Sequence, residues 1–570
     1  MHWFTTDKRT VLVDEPMQAP APPLVKSDPH EGFRRYPYCC GGVLDDFRRR
    51  ARHCGDDYAT ALRHWSKTLS SALFMFFATV FSTVALGVVI QKNSSNRIGL
   101  AEYLFMNSLA GMAHAVLGGQ PLLVLRPTGP ITLIVTILSN VADSLDFDFF
   151  ALLAATGLFV SLLMVAAAAV ELPRLIRRLT PFTHDIFACF VCSIYVKDGF
   201  SQSVSFFDEF AFGTALWCTN LALATLCVSA FFHVAGGWAV LPPRLRLLVA
   251  DYAVTLAVIL VTALSYAAAG VRDVLPRIVL DPTFGPTCHL NASAAEVGAT
   301  PACVDYHGAG AGSERPWAVD LAAAPPALWG YALLFAVPIS LFFFMDQNIS
   351  SLLCQLDECH LQRGRYFHSS FLLMGVFEAI GPCFGLPFVT GSLPHSPQFV
   401  AALTTRKPGA DPHVAESRVA PLLMYALIGL MLFVPQALES IPEAAIDGVL
   451  AFVGLEGIVQ TSLWRRLWLV ITPPSEFPTE YRSLRPARVH LYTLIQLLAF
   501  AGCWVMNAFP NVLGGAIGLF VSLLIVSLVP LRELAIPRIF SADELDALDR
   551  DARAQGDGDD ALAIALAGGV

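Results

Sequence analysis

Gly119-Gln120-Pro121-Leu122-Leu123-Val124-Leu125-Arg126-Pro127-Thr128-Gly129-Pro130 lies inside a long apolar region and runs on into Ile131-Thr132-Leu133-Ile134-Val135. It cannot be one continuous helix. Pro121, Pro127 and Pro130 each lack a backbone donor and clash with the turn before them. A short extended run followed by a helix fits better, with Pro127 or Pro130 in the first turn, where proline is tolerated. Broken backbone at membrane depth survives only where protein buries it or where it lines a cavity. A helix that starts there aims unpaired N–H groups and a partial positive charge into that cavity, which makes a place for an anion.

The pattern returns in the second half of the chain. Gly385-Leu386-Pro387 is followed by Pro394-His395-Ser396-Pro397 and then by the apolar run Phe399-Val400-Ala401-Ala402-Leu403. Both copies read Gly-x-Pro, a gap, Pro-x-x-Pro, then a helical run. Interrupted segments at corresponding positions of two halves point to a transporter site built from inverted repeats. The competing reading is a coincidence of proline kinks in a chain with 37 prolines.

Composition sets the class. Only 15% of the 570 residues are charged, against about 25% in a soluble domain. With many apolar runs of about twenty residues, this is an all-α polytopic membrane protein. The net charge of −9 says little about partners, because much of it sits in the tail, at Asp543, Glu544, Asp546, Asp549, Asp551, Asp557, Asp559 and Asp560. There is no basic patch of the nucleic-acid type, so no nucleic-acid partner is expected. The 13 cysteines show no metal-ligand spacing, so neither a metal nor another cofactor is expected. No nucleophile–base pair or metal cluster supports a membrane enzyme. The first sixty-odd residues are polar, and no cleavable signal peptide is expected.

Residues 1–66 read as a polar, Pro- and Arg-rich cytoplasmic segment, partly without regular structure. Residues 67–268 form a first set of seven elements, with spans near 68–90, 100–117, 149–170, 186–204, 214–234 and 247–268 beside the broken one. Residues 269–325 form a polar loop. It carries the glycosylation triplet Asn291-Ala292-Ser293, flanked by Cys288 and Cys303, which could pair outside the cell. Residues 326–535 form a second set of seven, with spans near 327–353, 367–384, 419–438, 446–464, 489–506 and 512–528. Residues 536–570 are an acidic cytoplasmic tail. Alternation then puts the basic loops at Arg48/Arg49/Arg50, Arg174/Arg177/Arg178, Arg244/Arg246, Arg363/Arg365, Arg406/Lys407/Arg418 and Arg465/Arg466 on the cytoplasmic side with both termini, and Asn291 outside.

These residues carry a family resemblance. The chain resembles the bicarbonate-transporter family: chloride–bicarbonate exchangers, sodium-coupled bicarbonate cotransporters and borate exporters. Gly119-Gln120-Pro121-Leu122-Leu123 with Pro127-Thr128-Gly129-Pro130 is similar to its third-element motif, and Phe182-Thr183-His184-Asp185-Ile186-Phe187 to its fifth-span signature. Phe344-Met345-Asp346-Gln347-Asn348-Ile349 is similar to its eighth-span motif, and Arg488-Val489-His490-Leu491-Tyr492-Thr493 and Val529-Pro530-Leu531-Arg532 to its C-terminal part. The resemblance implies a seven-plus-seven inverted repeat with two half-helices, a core and a gate domain, and a homodimer through the gate in the plasma membrane. Gly111-Met112-Ala113-His114, the tenth-element stretch Gly391-Ser392-Leu393-Pro394-His395-Ser396-Pro397 and the short N-terminal segment look most like the borate exporters. Ile539-Phe540 and Leu548-Asp549-Arg550-Asp551 look more like the bicarbonate exchangers. Those exchangers carry an arginine where this chain has Gly391, whereas the family's third-element motif has glycine where this chain has Arg126.

Bicarbonate and tetrahydroxyborate are small, singly charged, oxygen-rich anions. Two facing half-helix N-termini, at Thr128-Gly129 and at Ser396, would attract such an anion and release it. The hydroxyls of Thr128, Ser392 and Ser396 would add hydrogen bonds, or cap the helices. Asp346 sits deep in the apolar run Leu341-Phe342-Phe343-Phe344-Met345. An intramembrane carboxylate marks a pathway by default, here as a proton or sodium site; the other reading pairs it structurally, with Gln347 or Arg126. Arg126 is read as the cation that the tenth element lacks, or else as a snorkelling or structurally paired side chain. Asp185, Asp251 and Glu456 read as gate or packing positions. The expected function is secondary active exchange of bicarbonate or borate by alternating access. The alternatives are a sodium-coupled bicarbonate cotransporter, or a non-transporting scaffold or sensor of the same fold.

Overall fold

The computed structural model describes residues 35–268, 270–271, 274–280, 285–287, 315–405, 412–478, 481–482, 484–508 and 513–549. Asn291, Cys288, Cys303, Arg406 and Lys407 lie outside the described residues. Two polar helices come first, α1 (Gly41–Ala51) and α2 (Cys54–Arg63). The first half continues with α3 (Trp65–Asn93), α4 (Leu100–Leu117), the two-residue strand β1 (Leu125–Arg126), α5 (Gly129–Leu145), α6 (Phe149–Ala169), α7 (Pro181–Glu209) and α8 (Phe212–His233). It closes on a bent pair, α9 (Pro243–Asp251) and α10 (Ala253–Ser265). The second half holds α11 (Pro326–Leu353), α12 (His368–Cys383), β2 (Thr390–Gly391), α13 (His395–Leu403), α14 (Val419–Leu430), α15 (Glu443–Val459), α16 (Ser462–Trp468) and α17 (Pro486–Asn507). A 3-10 run (Leu513–Phe520) leads into α18 (Val521–Pro530), and α19 (Ala542–Asp549) ends the described chain.

Local chemistry explains these starts and breaks. Proline opens α5, α7, α9, α11 and α17, where its missing N–H costs nothing. Asp148 caps α6 by accepting from the N–H groups of Phe150 at 3.2 Å and Ala151 at 3.1 Å. Among the described residues, 6 helices are long and apolar enough to cross a membrane, or 9 spans when three bent pairs are each counted as one. The remaining elements, α4, α5, α12, α13 and α14, are shorter or more polar. Two spans expected to be continuous are bent instead. The break between α9 and α10 turns 73° and that between α15 and α16 turns 74°. At the second break Thr461 starts a new helix by accepting from the N–H of Trp464 at 3.2 Å. The last span begins as a 3-10 run because Gly514, Gly515 and Gly518 weaken an α-helical start.

Packing follows a two-fold that exchanges the halves. Helix α4 packs on α14 and α6 packs on α12; replacing each helix by its counterpart in the other half turns one contact into the other. The same exchange relates α3 on α14 to α11 on α6. The pairs α7–α15 and β1–β2 map onto themselves. This is the inverted-repeat arrangement of a multi-pass integral membrane protein.

The charges divide between two ends. At one end Asp57 of α2 is fully buried and pairs with Arg50 at 2.7 Å, Arg418 at 2.9 Å and Arg363. There Glu171 also accepts from the N–H groups of Tyr36 at 3.2 Å and Gly42 at 3.1 Å. The basic groups around Arg50, Arg174, Arg363 and Arg418 therefore share one face, as their alternation requires. At the other end Glu102 pairs with Arg315 at 3.0 Å and Lys92 with Glu443 at 2.7 Å.

Candidate functional site

The two broken elements meet. β1 and β2 pair antiparallel, with Leu125 opposite Gly391 and Arg126 opposite Thr390. The N–H of Ser392 extends the contact by donating to the carbonyl of Val124 at 2.7 Å, and the N–H of Val124 donates to Ser396 Oγ at 3.1 Å. Because the strands are antiparallel, α5 and α13 leave them in opposite directions, each with its N-terminus at the strand pair. A small apolar void beside α5, of ≈20 Å³, is lined by Pro130, Ile134, Phe190, Ile339 and Leu519 among others. It is about the size of one water molecule and offers an anion no polar partner.

Two tyrosines from neighbouring helices hold the first strand and helix. The hydroxyl of Tyr425 on α14 accepts from Leu125 N at 3.0 Å and donates to Leu125 O at 3.2 Å. Its ring occupies space left by Gly111 on α4, where a Cβ would collide with it. The hydroxyl of Tyr195 on α7 accepts from Gly129 N at 2.8 Å, and a Cβ on Gly129 would sit 2.6 Å from the ring. The first backbone donor of α5 is therefore occupied by a phenol in this structure.

The second strand is read by α11. Asp346 is buried, and its Oδ2 accepts from Thr390 Oγ1 at 2.5 Å and from Thr128 Oγ1 at 3.5 Å; the two hydroxyls lie 3.3 Å apart. Gln347 Oε1 accepts from Gly391 N at 2.7 Å, and Ser350 Oγ donates to Gly391 O at 2.6 Å. Asp346 is thus paired with neither Gln347 nor Arg126, and the Thr128 hydroxyl, at the N-cap position of α5, makes no capping hydrogen bond. Gly391 has no space around it. A Cβ there would lie 2.8 Å from Ser350 Cβ and 3.0 Å from Gln347 Oε1.

Arg126 is 1% exposed. Its Nη1 donates to Ser82 Oγ at 2.7 Å and to Thr79 O at 3.5 Å, both on α3, and its Nε donates to Pro127 O at 3.2 Å. All these partners are neutral, and among the described residues Arg126 makes no ion pair. The phenols of Tyr103, Tyr195 and Tyr425 and the imidazole of His395 lie within its electrostatic reach. It neither snorkels to a surface nor sits in a salt bridge.

The remaining expected residues lie at the same place but are engaged locally. Ser392 Oγ is 2.7 Å from His395 Nδ1. Ser396 Oγ donates to Ser392 O at 2.7 Å while accepting from Val124 N, and Ser396 N is taken by Ser392 O at 3.1 Å. Arg126, Thr128, Gly129, Asp346, Ser392 and Ser396 are therefore all on or beside one strand pair. Asp185 instead pairs with Arg466 at 3.3 Å and Glu456 lies 3.8 Å from His233, both far from the strands in sequence. Sequence reasoning passed over Thr390, Tyr195, Tyr425 and Ser82. A lone tyrosine inside an apolar span is the available signal, because a buried phenol needs a partner.

The chain matches the family model described as the HCO3- transporter integral membrane domain over residues 38–215 and 304–553. It is 25% identical over 554 residues to anion exchange protein 3 of Danio rerio, covering 90% of this chain and 44% of that protein. It is 25% identical over 585 residues to anion exchange protein 2 of Equus caballus, covering 92% of this chain and 44% of that protein. The chain thus spans less than half the length of these relatives. Solved structures similar to it include the transmembrane domain of a cyanobacterium bicarbonate transporter, BicA, at TM-score 0.48 and 16% identity over 76% of this chain and 98% of that one. SLC26A9 is similar at TM-score 0.49 and 11% identity over 90% of this chain and 73% of that one. Since the family model matches well over half of its residues, the chain belongs to the family of HCO3- transporter integral membrane domains.

Proposed function

We propose that the chain is a secondary active exchanger of small inorganic anions, bicarbonate or borate, which it binds at the β1–β2 strand pair and carries by alternating access. The observation that carries this reading is Arg126. A guanidinium buried in a membrane interior without a counter-charge is expensive, and a passing anion is the partner it lacks. Its planar fork suits two oxygens of one anion. Thr128 would add a hydroxyl, and Gly129 a backbone donor once Tyr195 lets go. Binding would then break the Tyr195–Gly129 bond between α5 and α7 and so link occupancy to movement of a core domain against a gate domain. Ser392 and Ser396 would keep the strands in register beside the anion. The domain limits proposed are 1–66, 67–268, 269–325, 326–535 and 536–570. Both termini would be cytoplasmic and Asn291 extracellular and glycosylated, with Cys288 and Cys303 as a disulfide pair. A homodimer through the gate in the plasma membrane fits the sparse burial of α8, whose most apolar window is 33% buried against 67% for α3 and α6.

Sodium-coupled bicarbonate cotransport is the second reading, favoured by the oxygens of Asp346, Thr128 and Thr390 meeting within 3.5 Å. Carboxylate and hydroxyl oxygens suit a hard cation or a proton. Uptake and efflux in proteoliposomes, comparing bicarbonate with borate and each with and without sodium, separates these readings. Flux of neither anion under any gradient would overturn both.

A further inference from the structure

Helix α12 carries a carboxyl that anion binding does not use. Glu378 is fully buried, and neither carboxyl oxygen has a hydrogen-bond partner in this structure. The backbone N–H of Val389 approaches it without completing a bond. Helix α6, packed along α12, carries no titratable side chain over its whole length. Helix α4 brings Glu102, Tyr103 and His114. Glu102 is held by Arg315 at 3.0 Å and by Gly99 N at 3.0 Å, Tyr103 shares a 2.8 Å bond with Thr132, and His114 faces Arg418. Helix α1 meets the far end of α12, where Asp46 accepts from Ser369 N at 2.9 Å. On α12 itself His368 and Cys383 stand at the two ends. The turn 384–391 has no titratable side chain. Among the described residues no cation pairs with Glu378.

A carboxylate alone in such a setting is expensive, and a proton on Glu378 would relieve that cost. Its position makes that proton relevant to transport. Val389 immediately precedes Thr390, whose hydroxyl donates to Asp346 at 2.5 Å. Strand β2 therefore runs between two carboxyls, Asp346 on α11 and Glu378 on α12. We propose that Glu378 is a second proton-binding site of the transport cycle, releasing its proton when β2 shifts and taking it back when β2 returns. The exchange balances simply: the carboxyl O–H bond breaks, the proton passes to water, and the carboxylate left behind accepts the Val389 N–H. The cycle it serves is the anion transport proposed above, and the protonation itself is read separately from it.

The test combines infrared difference spectra of the purified full chain in lipid nanodiscs, between acidic and alkaline pH, with the pH profile of bicarbonate flux in proteoliposomes. A protonated-carboxyl band that titrates in wild type and in Asp346→Asn, and is missing in Glu378→Gln, is the expected spectrum. The amide is a stand-in for the neutral acid and should leave folding intact, checked by melting temperature. Glu378→Gln should also change the pH profile of flux from that of wild type, leaving only the part that Asp346 carries. A band that does not titrate overturns the inference whatever the flux does. A titrating band with an unchanged pH profile in Glu378→Gln overturns the role in transport. Absence of bicarbonate flux in wild type is a failure of the anion reading instead, and the band alone then decides the proton site.

Discussion

The two broken elements share one backbone plan and differ in charge. In the first, β1 carries Arg126, buried among neutral acceptors on α3. In the second, the facing strand carries Thr390 and Gly391, and its neighbour α11 packs Gln347 and Ser350 against the position where a second cation would stand. The backbone two-fold is kept and the side-chain chemistry is not. The first half supplies the positive charge, and the second supplies Asp346 and Thr390, with Thr128 of the first half reaching across to the same carboxylate. Under the proposed function, this division would let an anion be drawn to one side while a proton or cation site sits on the other.

Arg126→Gly is the substitution that strikes this comparison hardest. Losing a charged hydrogen-bond partner worth about 1.5–3 kcal/mol should weaken anion binding about 10- to 150-fold. Flux at subsaturating bicarbonate or borate should fall in proportion. Arg126 has no counter-charge to strand, but its buried side chain leaves a cavity, so the melting temperature should fall modestly; a drop with unchanged flux would make it a structural residue. Arg126→Lys should recover part of the flux, since it keeps the charge but not the fork.

Asp346→Asn should keep the protein folded and abolish or uncouple transport. Its partners are the neutral hydroxyls of Thr128 and Thr390, so the destabilisation of about 3–5 kcal/mol that follows the breaking of a buried ion pair is not expected. Normal flux that still responds to sodium and pH would make Asp346 a bystander.

Gly391→Ala asks whether the second half has space for any side chain. Its Cβ would lie 2.8 Å from Ser350, and overpacking of this kind costs about 1–3 kcal/mol. Denaturation in detergent should show that loss. An arginine at 391 should therefore disrupt α11 rather than substitute for Arg126. The smallest expected effect is that of Tyr195→Phe. Freeing Gly129 N removes a competitor worth about 1 kcal/mol, so the apparent KM for the anion should fall about fivefold. A KM that stays fixed would separate the phenol from the binding step.

Much of the fold was legible in the sequence because prolines and apolar length are local signals. Pro121, Pro127 and Pro130 located the first break, and Pro387, Pro394 and Pro397 the second. The bends at α9–α10 and α15–α16 were not legible. An apolar run through Asp251 or Thr461 looks continuous until the neighbouring helices are placed. At the site, the sequence picked out Asp346 as a carboxylate in an apolar run, Thr128 by its place at a half-helix start, and Arg126 as a cation just before that half-helix, where the other element has Gly391. It did not foresee that Thr390 holds Asp346, that Tyr195 occupies the N–H of Gly129, or that Gly391 is packed shut. Each of these depends on register across the two halves, fixed by the pairing of Arg126 with Thr390. Glu378 carries the same sequence signal as Asp346, a carboxyl in an apolar span.

The most direct test of a single anion site built from both broken elements is a cryo-EM structure of the full chain in saturating bicarbonate, repeated in borate. Anion density is expected between β1 and the N-terminus of α5, within hydrogen-bond distance of the Arg126 guanidinium, with Tyr195 withdrawn from Gly129. Density elsewhere, with Arg126 still bound only to Ser82 and Thr79, would contradict it.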